Sequence, residues 1–283
     1  MRIAELWRFP VKSMAGERVD GIDVTEHGLA GDRAYALVDV ETGKVASAKL
    51  PRLWSSLLRC SARSDGDGGR VVITLGDGSE TASDDPEVHG RLSAYLDRDV
   101  ELTTKAPARN RYLAAWPQID GVMPDADRQA FGIGDDVDGT LTDFALAMAA
   151  PKGTFFDVAA LHLVARATLE QLDAASPATA FAVERFRPNV VIDGAEPFAE
   201  NDWGAGAVLQ LGDVTASGVI PTMRCIMTTL AQGDLPREND VLRTIARENR
   251  IEIPNMGTWS CVGSYAAVTV GGRLAVGDEV IGP

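Results

Sequence analysis

The feature that most constrains the fold is a succession of short predicted strands separated by turns that are rich in glycine and aspartate. The first residues, Met1–Trp7, alternate apolar and polar side chains, and a period of two places every second side chain on one face of a strand. Arg70–Leu75 is bracketed by the loop clusters 65–69 and Gly76-Asp77-Gly78. Many short strands with few helices favour a barrel-like, β-rich architecture.

The remaining segments add further strands and a few helices. Apolar residues at helical spacing predict helices at Pro86–Leu96, Leu161–Ala174 and Asn239–Arg250. A hairpin is predicted where Arg33–Val40 leads through a short turn into Val45–Lys49. The other predicted strands are Arg2–Phe9, Val19–Thr25, Val100–Thr104, Asn189–Ile192, Ala207–Leu211, Val214–Gly218, Ile226–Leu230, Tyr265–Val270, Arg273–Ala275 and Val280–Ile281.

The length of 283 residues is sufficient for two ordinary domains. Between Asp120 and Asp143 many aspartates and glycines occur with little periodicity, which predicts a long loop or a domain connection. We expect an N-terminal β domain over residues 1–115 and a second domain over residues 116–283. No run approaches the ~20 apolar residues of a membrane span, and the N-terminus lacks the apolar core of a signal peptide. A cytoplasmic location without a membrane partner is therefore expected.

Charge and cysteine content exclude several classes of function. The formal net charge of −14 argues against general affinity for nucleic acid or anionic membranes, because phosphate binding needs clustered cations. The cysteines Cys60, Cys225 and Cys261 are widely spaced and form no CxxC pair, which argues against a zinc site or a disulfide framework. Three thiols cannot hold an iron–sulfur cluster with four thiolate ligands. Any electrons that the protein needs must come from another polypeptide or a small reductant.

Cys225 has the sequence environment that points most directly to chemistry. It lies within Pro221–Thr229 and directly follows Arg224. A neighbouring guanidinium favours the thiolate, which is the form that acts as a nucleophile or binds a soft metal. The alternative is an inert buried thiol, and the motif alone leaves both interpretations open.

Two early segments carry groups suited to an anion. Lys12 and Ser13 follow a predicted strand and a proline turn, and an ammonium and a hydroxyl can both donate to phosphate oxygens. Arg33 opens a predicted strand after the glycine-rich turn 28–32, with a fork suited to phosphate or carboxylate. The alternatives are a solvated loop lysine in the first segment and an Asp32–Arg33 surface pair in the second.

A third cationic segment lies in the second half of the chain. Arg185 and Arg187 flank an aromatic residue just before Pro188 and the predicted strand at Asn189. Arginines so close to a core strand need an anionic partner, either a carboxylate or a ligand.

Other catalytic patterns are missing from the chain. No GxSxG elbow, P-loop or GxGxxG fingerprint after a strand occurs. The three histidines, His27, His89 and His162, are isolated from one another, and we assign none of them a role. Cys60 is expected to serve in packing, and Cys261 either in packing or as part of a pocket wall.

Taken together, the motifs resemble the MOSC-domain proteins with an N-terminal MOSC β-barrel domain, a group that includes the mitochondrial amidoxime-reducing components. The resemblance covers nearly the whole chain and is carried by Pro10–Ser13, Gly28–Arg33, Arg185–Asn189, Ala199-Glu200, Trp203, Arg224–Thr229 and Gly263–Tyr265. It implies an α+β, β-rich fold. An N-terminal MOSC-type β domain would precede a MOSC domain with a pyruvate-kinase-like β-barrel and peripheral helices.

The resemblance also implies a molybdenum cofactor, in which the dithiolene sulfurs of a phosphorylated pterin (molybdopterin) hold the metal. Cys225 would be the catalytic residue and the thiolate ligand of molybdenum, since a soft thiolate suits a sulfur-rich metal centre. The cofactor-binding residues implied by the resemblance are Lys12, Ser13, Arg33, Arg187, Asn189, Arg224 and Tyr265.

The implied reaction is a two-electron reduction of small N-hydroxylated compounds, such as amidoximes, hydroxylamines and N-hydroxylated bases. Electrons would come from a separate donor protein of the flavin, haem or iron–sulfur type. Three alternatives stay open. They are a non-catalytic carrier of the molybdenum cofactor, a persulfide sulfur carrier that uses Cys225, and a β-barrel interaction domain without a cofactor.

Overall fold

The computed structural model describes residues 1–65, 69–116, 119–124 and 141–283. Most of the loop predicted between Asp120 and Asp143 lies outside the described residues, so that expectation stays a prediction.

The described residues form mainly β-strands joined by short helices, which confirms the β-rich α+β class. The strands are β1 Arg2–Arg8, β2 Glu17–Val19, β3 Gly21–Thr25, β4 Gly28–Leu29, β5 Ala36–Asp39, β6 Ser61–Asp65, β7 Arg70–Thr74, β8 Glu80–Ala82, β9 Val100–Thr103, β10 Arg111–Ala115, β11 Leu141–Ala145, β12 Leu161–Ala165, β13 Val190–Asp193, β14 Val208–Leu211, β15 Val214–Met223, β16 Arg250–Ile253, β17 Gly257–Val270, β18 Gly272–Ala275 and β19 Val280–Ile281. The α-helices are α1 Pro51–Trp54, α2 Val88–Leu96, α3 Arg166–Ala175, α4 Val183–Phe186 and α5 Asp240–Glu248, and short 3-10 helices span Ser55–Arg59, Ala199–Asn201 and Ile226–Thr229.

The largest sheet closes on itself into a barrel. Its strands follow the order β19-β14-β15-β17-β12-β13-β1-β2, and β16 pairs with β17. The N–H of Ile3 donates to the carbonyl of Asp278, and the N–H of Val280 donates to the carbonyl of Met1, both at 2.9 Å. Through these bonds β1 also contacts the chain that enters β19. The first strand of the chain is therefore part of a barrel built mostly from residues beyond 160.

The two largest of the seven hydrophobic clusters in the described residues support this architecture. The barrel encloses side chains that include Leu6, Leu163 and Ile192. A second core in the first half of the chain contains Ile73 and Leu92, and Leu92 lies on α2 as its spacing predicted. Burial of apolar side chains stabilises each core separately. The domain boundary near residue 115 stays a prediction.

Two secondary-structure predictions are wrong. Residues 161–174 do not form one helix, because Leu161–Ala165 is the fully buried strand β12 and α3 begins only at Arg166. Periodicity cannot distinguish a short strand buried on both faces from a buried piece of helix. Residues 226–230 do not form a strand, because Ile226–Thr229 is a 3-10 helix, and Arg185 donates to the carbonyls of Thr228 and Leu230 at its end.

The predicted hairpin exists only in part. The N–H of Asp39 donates to the carbonyl of Lys44 at 2.9 Å, but the pairing ends in a single bridge between Val38 and Val45. Instead, β5 pairs with β9. The following residues leave the sheet, and the N–H of Ala48 donates to the Ser13 hydroxyl at 3.1 Å. This path brings Lys49 to one end of the barrel.

The strand directions gather distant segments at this end of the barrel. Because β1 and β13 are antiparallel, the end of β1 lies beside the start of β13, with Leu6 opposite Val190. Parallel pairing of β12 with β13 adds the start of β12, and antiparallel pairing with β17 sets Tyr265 opposite His162. The loops that follow β1 and precede β12 and β13 therefore meet.

Candidate functional site

One cavity brings together all the residues that were predicted from the sequence as a site. The cavity is lined by Lys12, Ser13, Arg33, Arg187, Asn189, Arg224, Cys225 and Tyr265, and also by Lys49, Asp157, His162, Arg185 and Thr222. The shared location is a finding of the structure, and the individual roles stay predictions.

Arg187 is a buried cation without a carboxylate partner. Its side chain is 8% exposed, Nη1 donates to the carbonyl of Met14 at 2.6 Å, and the guanidinium lies 4.3 Å from the ring centre of Phe9. It makes no ion pair with any residue that the structure describes. Burial and the neighbouring charge of Arg33 lower the pKa of Arg187 to about 9. An uncompensated buried charge is costly, so an anion bound here would stabilise the site.

Arg185 differs from Arg187 although the two residues are close in sequence. Its Nη2 forms an ion pair with Glu238 at 2.8 Å and also donates to the carbonyl of Pro236 at 2.9 Å. Its Nη1 donates to the carbonyls of Thr228 and Leu230. The anionic partner expected for this arginine is therefore a carboxylate of the chain.

Arg33 belongs to a buried hydrogen-bonded group. Its Nη1 donates to Asp32 and to Asn189 Oδ1, and Asn189 Nδ2 donates to Asp32 Oδ2 at 2.9 Å. Asp32 also accepts the backbone N–H of Phe9 at 2.7 Å. The Asp32–Arg33 pair thus exists, but Asp32 is 5% exposed and the pair is not on the surface. Asn189 uses both ends of its amide within the protein, because its oxygen also accepts the N–H of His162.

Two lysines share one carboxylate beside these arginines. Lys12 Nζ lies 2.6 Å from Asp157 Oδ1, and Lys49 Nζ lies 3.0 Å from Asp157 Oδ2. Burial lowers the pKa of Lys12 to about 8 despite the charge of Asp157, whereas the pKa of Asp157 itself falls because both lysines more than offset its burial. Sequence reasoning missed Lys49 and Asp157, since the three residues are far apart along the chain and no local pattern marks them.

Backbone conformation also singles out the site. Ser13, Arg33 and Arg187 have φ angles of 67°, 47° and 53°, in the left-handed region that favours glycine. A non-glycine residue there costs about 1–2 kcal/mol, and such residues cluster at functional sites. Each of these three residues therefore adopts its backbone conformation at an energetic cost that glycine would avoid.

Arg224 is largely engaged by the protein. Its Nε donates to the carbonyl of Val262 at 2.8 Å, and its Nη2 contacts His162 Nε2 at 2.7 Å. Because a guanidinium can only donate, Nε2 must accept and Nδ1 carries the proton, facing the carbonyl of Arg187 at 3.4 Å. Burial and the charge of Arg224 lower the pKa of His162 well below its usual value. His162 is therefore neutral and positions the Arg224 guanidinium. The sequence did not reveal this role, because no other histidine lies near it along the chain.

A glycine makes room for this histidine. Gly263 has a φ of 81°, and a Cβ there would lie 2.5 Å from His162 Nε2. Any side chain at this position would displace the imidazole that receives the Arg224 bond.

Cys225 lies half-buried at the start of the 3-10 helix Ile226–Thr229. Burial alone would lower the pKa of Lys49, but Asp157, Tyr112 and Cys225 together raise it well above its usual value. Lys49 is thus a cation that lines the same cavity as Cys225. The sequence pointed to Arg224 as the cation beside this thiol, yet four of the five N–H groups of Arg224 already have partners in the protein.

The cavity contains an unsatisfied polar group but no complete metal site. Thr222 Oγ1 is buried without a hydrogen-bond partner in the described part of the chain, and buried hydroxyls are usually paired. Over the same residues, no group of three or more His, Cys, Asp or Glu side chains is placed to hold a metal ion. A metal beside Cys225 would therefore bring most of its ligands with it.

The buried Glu200, behind the cavity, yields a prediction for pH dependence. Its carboxylate accepts from Thr168 Oγ1 at 2.8 Å and from the N–H of Gly263 at 3.1 Å. Burial raises its pKa from 4.5 to about 6. The folded state therefore binds this proton more tightly, and Glu200 removes about 2 kcal/mol of stability as the pH rises from 4.5 through 6.

We expect Glu200→Gln to gain up to about 2 kcal/mol over the unchanged protein between pH 4.5 and 7, because the neutral amide avoids this loss. Denaturant unfolding at a series of pH values measures the difference. Glu196→Gln, in the exposed part of the same turn, is the matched control. Its difference in unfolding free energy from the unchanged protein should not vary with pH. An equal pH dependence of this difference in both variants would contradict the role of burial.

Comparison with known proteins adds family information to this geometry. The family model "MOSC N-terminal beta barrel domain" matches residues 1–114, and the model "MOSC domain" matches residues 150–281. Mitochondrial amidoxime-reducing component 1 of Mus musculus is 24% identical over 98% of this chain and 81% of its own length. Molybdenum cofactor sulfurase of Drosophila grimshawi is 26% identical over 87% of this chain but only 30% of its own length.

Among solved structures, the YuaD protein from Bacillus subtilis aligns over 99% of this chain and 93% of its own, with a TM-score of 0.46 and 10% identity. Within the described residues, no helix combines the length and the apolar character required to cross a membrane.

Proposed function

The chain belongs to the MOSC-domain proteins that begin with a MOSC N-terminal β-barrel domain, and on this premise we propose that it is a molybdenum-cofactor-dependent reductase of small N-hydroxylated compounds. One observation carries the proposal: a thiol and a buried arginine without a carboxylate partner line the same cavity. The similarity to a protein named mitochondrial amidoxime-reducing component 1 supports the choice of reaction.

The residues of the cavity fit a cofactor that combines a phosphate with a sulfur-bound metal. Cys225 would supply the protein thiolate, and the dithiolene of the cofactor would supply the sulfur ligands that the described residues lack. Arg187 has a guanidinium available for the phosphate, and Ser13 has a hydroxyl hydrogen available because its oxygen accepts from Ala48. Thr222 Oγ1 is a further group in need of a partner.

The other residues predicted to contact the cofactor, Asn189, Arg224 and Tyr265, would act mainly by holding neighbouring side chains in place. Asn189 fixes Arg33 and Asp32, and Arg224 is held by Val262 and His162. The Tyr265 ring lies beside the His162 ring in a tilted arrangement, with ring centres 5.2 Å apart. These contacts would keep the cavity in one shape and restrict the entry of water.

When bound, the cofactor would supply the two-electron reduction chemistry. The N–O bond of the substrate breaks, and two electrons with two protons convert N–OH to N–H and water. The chain would supply positive charge near the bond that breaks. Lys12 and Lys49 flank Asp157 within the cavity, so that positive charge exceeds negative charge beside the reacting group.

The electrons would come from a separate donor protein of the flavin, haem or iron–sulfur type. The three cysteines of this sequence cannot themselves hold a four-thiolate cluster. Nucleic acid and membranes are not proposed as partners, in keeping with the net charge of −14. A cytoplasmic location stays a prediction.

A metal and activity assay tests the proposal. Protein made in a host that synthesises the cofactor should contain close to one molybdenum per chain. It should reduce benzamidoxime with a dithionite-reduced dye, whereas metal-free protein should not. Protein that contains the pterin but reduces the amidoxime independently of molybdenum would contradict the proposal.

The similarity to a molybdenum cofactor sulfurase favours a second candidate, a carrier of the cofactor or of persulfide sulfur. A carrier would bind the cofactor but reduce no N-hydroxylated compound with any reductant. A persulfide carrier would show the added mass of one sulfur atom at Cys225 in intact-protein mass spectrometry. Protein that binds neither pterin nor metal would instead indicate an interaction domain.

A further inference from the structure

A second cavity lies beside the one that contains Cys225. We call it the arginine cleft, and it is lined by Arg52, Arg59, Arg237 and Arg243 together with Trp116 and Ile226. Its volume is about 760 Å³, within the roughly 300–1,000 Å³ typical of small-molecule sites. Its size therefore suits a small ligand.

The charge of the arginine cleft is opposite to that of the chain. The protein contains 41 acidic and 27 basic residues, yet no Asp or Glu lines the cleft in the part that the structure describes. Arg243 pairs with Asp240 at 2.9 Å on the surface. Arg52, Arg59 and Arg237 have no ion-pair partner among the described residues. Several guanidinium groups around one cavity form a site for an anion.

The arginine cleft and the first cavity share a wall. Ile226 lines the cleft and directly follows Cys225, which lines the first cavity. Leu50 lines the cleft and directly follows Lys49, which lines the first cavity. Neighbouring Cα atoms are about 3.8 Å apart, so two short stretches of backbone, 49–50 and 225–226, contribute to the lining of both cavities.

Apart from its arginines, the cleft is lined by apolar side chains and by the polar residues Ser55, Ser56 and Asn239. Trp116 and Ile226 are half-exposed, and Leu230 packs behind Ile226. An aromatic or aliphatic body would be covered by these side chains while its charged end meets the guanidinium groups.

We propose that the arginine cleft binds the anionic end of the substrate, a carboxylate or a phosphate on an apolar or aromatic body, while the N–OH group reaches the Cys225 cavity. This inference rests on the proposed function and specifies its substrate class. It predicts a preference for anionic over neutral N-hydroxylated compounds. A docking surface for an acidic electron-donor protein would use the same charges, and the test distinguishes it.

Two matched substrates, benzamidoxime and 4-carboxybenzamidoxime, test the proposal in the cofactor-loaded protein with a chemical reductant. We expect a lower KM for the carboxylate, and we expect Arg52→Ala/Arg237→Ala to raise the ratio of the carboxylate KM to the neutral KM about tenfold. Arg109→Ala, an exposed arginine outside both cavities, is the control and should keep the ratio of the unchanged protein. An unchanged ratio in the double variant would overturn the proposal. So would an effect seen only with a protein donor, which would indicate donor docking.

Equilibrium binding separates this inference from the proposed function. Calorimetry with 4-carboxybenzamidoxime on the full-length Cys225→Ala protein needs no turnover. Binding that weakens about tenfold in the added Arg52→Ala/Arg237→Ala background supports the cleft even if no reduction occurs with any substrate. Normal reduction without any charge preference in binding would overturn the cleft and leave the proposed function intact.

Discussion

Cys225→Ala is expected to lower molybdenum from near one per chain to background and to reduce amidoxime reduction by more than about 100-fold. Loss of an outer partner of a metal ligand already costs about 10- to 100-fold, and here the only proposed protein ligand is removed. Cys225 is half-buried, and its backbone carbonyl rather than its sulfur accepts the hydrogen bonds of Thr228. The free energy of unfolding should therefore change by less than about 1 kcal/mol. Metal analysis, the dye-linked assay and thermal unfolding measure these three effects.

Cys261→Ala is the matched control for this prediction. Cys261 is fully buried, it is not among the residues that line the cavity, and burial raises the pKa of its thiol to about 12. Its replacement should cost about 1 kcal/mol of stability and leave the metal in place. A Cys225→Ala protein with full molybdenum content and activity would show that this thiol is not the ligand.

Arg187→Met is expected to lower the cofactor content and Arg185→Met to lower the folding stability, although the two positions are separated by one residue. Arg187→Met should lower the cofactor content more than about tenfold, because the cavity loses its unpaired guanidinium. Its folding stability should stay within about 1 kcal/mol, since the variant loses one bond to Met14 and no longer buries a charge beside Arg33. Arg185→Met should instead lose about 3 kcal/mol of stability, since Glu238 and several carbonyls lose their donor.

Pterin content after purification and denaturant unfolding measure the two variants side by side. Each variant serves as the control for the other, because both remove one positive charge from the same loop. Arg187→Met protein that retains its full pterin content would contradict the assignment of Arg187 to the phosphate. Equal stability losses in the two variants would contradict the distinction between them.

The site could be predicted from sequence where a local pattern marks the residue. Lys12, Arg33 and Arg187 adjoin predicted strand ends or turns, and Cys225 adjoins an arginine, so each attracted a chemical interpretation. All of them line one cavity. The left-handed backbone at Ser13, Arg33 and Arg187 was not predictable, because none of these residues is a glycine.

Residues whose role depends on distant partners could not be predicted. Asp157 is an ordinary acidic residue until folding brings Lys12 and Lys49 to its two oxygens. His162 is isolated in sequence, and only its contact with Arg224 gives it a position in the site. Similarly, Ile226–Thr229 has strand-forming residues but becomes a 3-10 helix in a turn whose carbonyls accept from Arg185. Tertiary contacts override local propensity in such segments.

The closure of the barrel through β1 has a consequence for how the chain is made. During synthesis β1 leaves the ribosome first, but Leu6 pairs with Val190, and Met1 and Ile3 bond to residues 277–280. At translation rates of about 5–20 residues per second, the wait for the first of these partners is roughly ten seconds or more. The second core can form earlier, because its members lie within the first half of the chain. Vectorial folding therefore produces the N-terminal core first, while β1 can pair only with β2 until Val190 and, later, residues 277–280 have emerged.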